Sequence, residues 1–220
     1  MSEAAPGIPD SPAFATPERA ALAAALRDLI DAAMASEEIA AGTLTAVASE
    51  VTALTARLGT RASGPGYRPR SHGDYLPRSP IVGEASPLSP RLDWEIAEID
   101  GRPGIEARGS FGAAYEGPPT YVHGGWLACA FDEVLGVAQS ASGNPGMTAN
   151  LSVDYRSPTP ILRELVFRGW CERIDGRKIY TRGTVHHGDT LCAEASGLFI
   201  AMRPELFAKL LAMRDAPSQT

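Results

Sequence analysis

The chain has 220 residues, 44% of them hydrophobic, with three cysteines and a net charge of −6. That is enough apolar material for one substantial core. It contains no run of about 18 apolar residues for a membrane span, and its charge disfavours general nucleic-acid binding. The N-terminus lacks the basic start and apolar stretch of a secretory signal and is too acidic for a typical transit peptide. Cys129, Cys171 and Cys192 cannot all pair and form no C-x-x-C spacing, so a reducing, cytoplasmic setting is expected.

Residues 1–15 are small and Pro-rich, a composition that favours disorder. Thr16-Pro17-Glu18 then reads as an N-cap, an N1 proline and an acidic first turn. The helix that follows collects Leu22, Leu26, Leu29, Ile30 and Met34 on one side. A second helix is expected from about Thr43, with Leu44, Val47, Val51, Leu54 and Leu58 at alternating spacings of three and four and Gly59 as its stop. The two are expected to form a helical hairpin packed on the main domain or its mate. The narrow stripe of the second also suits a short coiled coil. Residues 1–60 thus form an N-terminal helical extension.

Residues 61–92 are rich in Pro, Gly, Ser and Arg without a usable period and read as an extended connector. Its Tyr67, Tyr75, Leu76, Ile81 and Val82 allow parts of it to lie along the domain surface. Its arginines (Arg61, Arg68, Arg70 and Arg78) are expected to be solvated. Residues 93–215 then carry one α+β domain. Strands are expected near 94–99, 105–112, 147–156, 163–174, 177–186 and 189–202, with hairpin turns at Asp175-Gly176 and His187-Gly188-Asp189. Met147, Ala149, Leu151 and Val153 alternate with Thr148, Asn150, Ser152 and Asp154 as in a half-buried strand. A short helix near 204–213 is expected to close the chain.

Between the second and third strands lies the most informative segment. Leu127, Ala130, Phe131, Val134, Leu135 and Ala138 fit a helix that buries one face. It opens at Gly124-Gly125, where unpaired N–H groups and the helix dipole can hold an oxyanion and glycine permits close approach. Asp132 is a carboxylate suited to act as general base or as nucleophile. Eight residues separate it from Gly124, or roughly 12 Å along the axis. A reacting carbonyl needs both groups within about 3 Å, so one helix cannot supply both. Two antiparallel copies about a two-fold axis can, which points to a homodimer with two shared sites. The small residues Gly125, Ala128, Cys129 and Gly136 on the face of Asp132 would admit a second backbone.

His123-Gly124-Gly125, then Asp132, then Gly136 resembles the phenylacetyl-CoA thioesterase branch of the hotdog-fold acyl-CoA thioesterases. Gly146 to Pro158 resembles that branch's strand after the central helix, particularly in its mitochondrial-type relatives, and Asp175-Gly176-Arg177-Lys178 and Ala193 to Ile200 resemble its later hairpin turn and closing strand. The resemblance covers about residues 94–203. It implies a hotdog fold, an antiparallel sheet wrapped around a central helix. It implies hydrolysis of an acyl-CoA to free acid and coenzyme A by a dimer or a dimer of dimers, with no cofactor beyond the coenzyme A of the substrate.

By the same resemblance, Gly124 gives its N–H to the thioester oxygen, His123 orients the loop and Thr148 positions water or Asp132. The asparagine that some branches carry before the histidine is replaced by Gly117. Gly125, Asn150, Arg156 and Lys178 are the candidates for holding substrate, the last two by neutralising coenzyme A phosphates. Glu133 lies about 100° round the helix from Asp132 and is read as structural or solvated. Trp126, Phe131 and Tyr155 either border an acyl pocket or are core. No metal site is expected, because His123 has no second ligand at a familiar spacing and His186-His187 point to opposite faces of a strand. A non-catalytic acyl-CoA-binding or interaction domain is the alternative. A dehydratase is disfavoured because no Asp-x4-His loop is present.

Overall fold

A computed structural model describes residues 16–35, 38–59, 75–141, 143, 146–201, 203 and 205. The expectations for residues 1–15, for the first half of the connector and for a closing helix at 204–213 lie outside the described residues. Three helices come first: α1 (Pro17–Ala35), α2 (Ala41–Leu58) and the single turn α3 (Tyr75–Arg78). The domain continues as β1 (Asp93–Ile99), β2 (Arg102–Gly109), a 3-10 turn at Ala113–Tyr115, α4 (Gly124–Ala141), β3 (Gly146–Tyr155), β4 (Leu165–Asp175), β5 (Lys178–His187) and β6 (Thr190–Ala201).

The strands form one antiparallel sheet in the order β1-β2-β4-β5-β6-β3, with β1 and β3 at its edges. The α+β class expected from the sequence is the one observed. The β4–β5 and β5–β6 hairpins close at the expected turns, where Gly176 and Gly188 take positive φ. A further hairpin was not anticipated. Asp100 and Gly101 both have positive φ, so β1 and β2 join through a two-residue loop with Ile99 opposite Arg102. As a result β2 begins at 102 and ends at 109, and Phe111, expected inside the strand, lies beyond it in the core.

Helix α4 lies across the sheet, and three glycines on neighbouring strands let it come close. A Cβ at Gly169 of β4 would stand 2.8 Å from Val134 Cγ1. One at Gly183 of β5 would meet Leu135 Cδ2 at 3.0 Å, and one at Gly197 of β6 would meet Leu135 Cδ1 at 3.2 Å. Gly169 and Gly183 are paired in register, and Gly197 pairs with Thr181 on β5. The helix therefore rests in a shallow track of missing side chains. Phe111, Phe131, Phe167, Leu135 and Leu165 fill the space around it, all fully buried, with Phe131 and Phe167 edge to face at 5.6 Å.

Two expectations about the N-terminal third need correction. Helix α1 does not dock through its leucine face. Ala23 is buried on the domain side, while Leu22, Leu29, Ile30 and Met34 point outward. The anchors are polar: Asp31 accepts the Ala114 N–H at 3.1 Å, and Arg27 donates to the Ser86 carbonyl at 2.7 Å. Helix α2 buries no residue, so the packed hairpin is not formed within the chain.

The second half of the connector also departs from an extended linker. Ile81 and Leu92 belong to the core, and Ser79, Ser86 and Ser89 are buried beside them. Ser79 Oγ accepts the N–H of Ile81, and Ser89 donates to the Ile81 carbonyl at 2.6 Å. These hydroxyls supply the turn's backbone with partners that a ladder would otherwise give. Tyr115 ties the segment down by donating to the Leu88 carbonyl. Burial, helped by the Asp31 carboxylate, pushes its phenol up to about 12.

Candidate active site

His123 is the N-cap of α4. Its carbonyl accepts the N–H groups of Trp126 and Leu127, and its ring Nδ1 accepts the Gly125 N–H at 3.0 Å. Acceptance through Nδ1 leaves the ring proton on Nε2. The four N–H groups that this helix start leaves open are those of His123, Gly124, Gly125 and Trp126; His123 gives its own to the Tyr115 carbonyl at 2.9 Å, so three have partners. Among the described residues, the Gly124 N–H is the one without such a partner. Tyr155, at the end of β3, donates its hydroxyl to the Gly124 carbonyl at 2.8 Å. Its ring also covers the glycine, where a Cβ would lie 3.2 Å from the phenol.

The loop before the helix is equally tight. A Cβ at Gly117 would stand 2.8 Å from the His123 Cα. The loop as folded therefore has no room for a side chain where some branches carry asparagine.

Asp132 is exposed on α4, and Glu133 next to it is buried, so Glu133 is not the solvated residue it was allowed to be. The Thr148 hydroxyl donates to Asp132 Oδ1 at 2.7 Å. Strict alternation would put Thr148 on the outer face with Asn150. A bulge between Thr148 and Asn150 shifts the register against β6, so Thr148 turns toward α4 with the half-buried Leu151 and Val153. Met147 and Ala149, expected inward, are exposed.

Two clusters result on one face of the protomer: Gly124 with His123 and Tyr155 at the start of α4, and Asp132 with Thr148 two turns on. Cys129 stands between them on α4. Burial raises its thiol pKa, and the Asp132 and Glu133 carboxylates add to the rise, so it is held protonated and is a poor nucleophile. Neither of two surface hollows, one against Trp94 and one against His186, includes Asp132. The carboxylate lies on an open face.

The substrate candidates are dispersed. Asn150 is exposed on β3. Arg156, just past the Tyr155 end, donates to Glu194 at 2.7 Å and lies 3.8 Å from Asp154; hydrogen bonding to Glu194 raises its pKa. Lys178 pairs with Ile200, which in turn pairs with Met147, so it sits at the opposite end of this sheet edge. Phe131 is core and Trp126 packs edge-on against Tyr115 at 5.0 Å. The link from Tyr155 to Gly124 was not anticipated, and no spacing in the sequence signals it.

Comparison with known proteins identifies the family. The family model for the thioesterase superfamily matches residues 120–194, which hold both clusters. A crystal structure described as a thioesterase superfamily protein superposes with a TM-score of 0.73 at 32% identity, covering 83% of this chain and 90% of that one. The chain belongs to the thioesterase superfamily, and its sheet and central helix form the hotdog fold.

Acyl-coenzyme A thioesterase THEM4 of Mus musculus is 38% identical over 96 residues, 43% of this chain and 41% of that protein. The Xenopus laevis protein of the same name is 37% identical over 95 residues, 42% of this chain and 43% of that one. The matched segment thus spans about two fifths of these relatives' length. No helix among the described residues is long and apolar enough to cross a membrane.

Proposed function

We propose that this chain hydrolyses an acyl-coenzyme A thioester to the free acid and coenzyme A. The observation that carries the reading is the pairing of an exposed helix carboxylate, Asp132, with the Thr148 hydroxyl, on a helix whose start offers the Gly124 N–H. The two THEM4 relatives, named as acyl-coenzyme A thioesterases, support the substrate class. Because the clusters are roughly 12 Å apart along α4, the working unit is a homodimer, alone or as a dimer of dimers. Gly124 of one protomer then faces the partner's Asp132.

In one route the Asp132 carboxylate takes a proton from water, whose oxygen bonds to the acyl carbon. In the other the carboxylate attacks directly, giving a mixed anhydride that water then cleaves. In both, negative charge builds on the acyl oxygen, where the Gly124 N–H and the helix dipole stabilise it more than they stabilise the ground state. The C–S bond then breaks and the thiolate leaves. Thr148 holds one Asp132 oxygen, so the other is free to act. Arg156, Lys178 and Asn150 are the candidates for the nucleotide end of coenzyme A, with Arg156 having to exchange Glu194 for phosphate. Gly125 keeps the helix entrance open. The reaction needs no cofactor besides the substrate's own coenzyme A and no metal, and the protein works in the cytoplasm.

Thiol release from a panel of short, long and aromatic acyl-CoAs tests the reading. Turnover is expected with at least one class, and Asp132→Asn is expected to lower kcat at least a hundredfold with unchanged folding. Tight acyl-CoA binding without any thiol release would favour a non-catalytic binding protein instead.

A further inference from the structure

Helix α2 is a surface helix with an apolar stripe, and among the described residues nothing buries it. Leu44, Val47, Val51, Leu54 and Leu58 are between 36% and 68% exposed, and every residue of the helix is solvent-facing. The spacing of three, four, three, four makes these positions a, d, a, d and a of a heptad, the seam of a two-stranded coil rather than the wider stripe of a helix lying on a domain.

The flanks of that stripe carry the information about what covers it. The helix has two charged residues, Glu50 and Arg57, and both fall at g positions. Thr55, beside the seam at e, donates to the carbonyl one turn back at 2.9 Å, as Thr45 and Thr52 do on the outer face. In a parallel pair, g faces e of the next heptad, so Glu50 would face a threonine and Arg57 a position past the helix end. In an antiparallel pair the seam layers join a to d, and g faces g. Val51 then meets the partner's Leu54, Val47 meets the partner's Leu58, and Glu50 stands opposite the partner's Arg57. The two-fold axis repeats all three contacts. One register therefore pairs four of the five seam residues and both charges, and leaves Leu44 beyond the end of the partner's helix.

The geometry points to α2 of a second copy of this chain as the occupant, in an antiparallel pair clasped by two Glu50–Arg57 ion pairs. A two-helix contact of this length is marginal alone, so it acts as an added contact between chains. It does not rest on the thioesterase reading or on the α4 face, because none of its residues belongs to either.

The test uses the full chain. Sedimentation equilibrium at low salt is run on wild type, E50R, R57E and the double swap E50R/R57E, with circular dichroism checking helix content. Neither residue has a charged neighbour three or four positions away on α2, so the exchanges break no pair within the helix; R57E does set a carboxylate in the last turn against the helix dipole, and the circular dichroism reads that effect separately. Each single reversal turns both ion pairs into like-charge contacts and is expected to weaken self-association on the order of tenfold. The double swap is expected to restore it, and 1 M salt to narrow the differences. Unchanged association in the single variants would overturn the proposal. So would failure of the double swap to restore association, which would mean that another surface or another protein covers α2.

Discussion

Thr148 donates its hydroxyl to the Asp132 carboxylate at 2.7 Å, across the gap between the edge strand β3 and the central helix. Hydrogen bonds to a charged acceptor are stronger than neutral ones, and this one fixes which carboxylate oxygen stays free. Thr148→Val removes the donor while keeping the shape. It is expected to lower kcat for thiol release by roughly ten- to a hundredfold with little change in KM. Thr148→Ser, which keeps the hydroxyl, should stay within about threefold of wild type. Equal losses in both variants would make the contact a matter of packing.

The separation of Gly124 from Asp132 along α4 gives a sharper test. Gly124→Pro deletes the N–H while suiting the first helical position. Gly124→Ala keeps the N–H and makes the same approach to the Tyr155 ring, so it serves as the steric control. Gly124→Pro and Asp132→Asn are each expected to be inactive. Unfolded and refolded together at equal amounts, they should regain about a quarter of wild-type activity, because mixed dimers carry one intact site. If both groups served one substrate within a protomer, mixing would restore nothing.

The glycine track under α4 makes a stability prediction. Gly169→Ala would put its Cβ 2.8 Å from Val134 Cγ1 and 3.3 Å from the Val134 carbonyl, in a site with no room to yield. Overpacking of this kind costs about 1–3 kcal/mol, readable as a lower urea midpoint at unchanged slope. Gly42→Ala on α2 meets nothing within 4 Å and is expected to cost nothing.

Much of this architecture was legible in the sequence for simple reasons. Helix α4 shows because its buried face repeats at helical spacing. The two later hairpins show because glycine marks the positive φ their loops require. The parts that were not legible depend on contacts between distant segments. The bulge that turns Thr148 toward Asp132 has no local signal, since Ala149 would fit a regular strand equally well. The leucines of helix α1 are its sequence signal, yet it docks through Ala23, Arg27 and Asp31, and the partners of Arg27 and Asp31 lie 59 and 83 residues away. The segment from 75 to 92 looked like linker because Pro and Ser dominate it. Three buried serines are what let it fold.

His186 on β5 makes stability depend on pH. Its ring is partly buried in a hollow shared with Arg168, Glu98 and Asp100, and among the described residues its Nδ1 has no hydrogen-bond partner. Burial, then the Arg168 charge, lowers its pKa below the usual histidine value. The unfolded chain therefore binds a proton at a pH where the folded chain does not, and stability rises with pH across that window. Read downward, stability is full above the ordinary histidine value of about 6.5. It falls as pH drops through the window, and the effect is complete once pH lies below the lowered folded value. One proton limits the slope to about 1.4 kcal/mol per pH unit. Urea midpoints between pH 7.5 and 5 should fall for wild type and fall less steeply for His186→Gln, which stays neutral throughout. Parallel curves for the two proteins would place the acid sensitivity of this range elsewhere; Glu106 contributes only at lower pH, below the ordinary glutamate value of about 4.3. Burial alone would raise that carboxyl, but its hydrogen bonds to Arg108 and Arg168 hold it below the usual range.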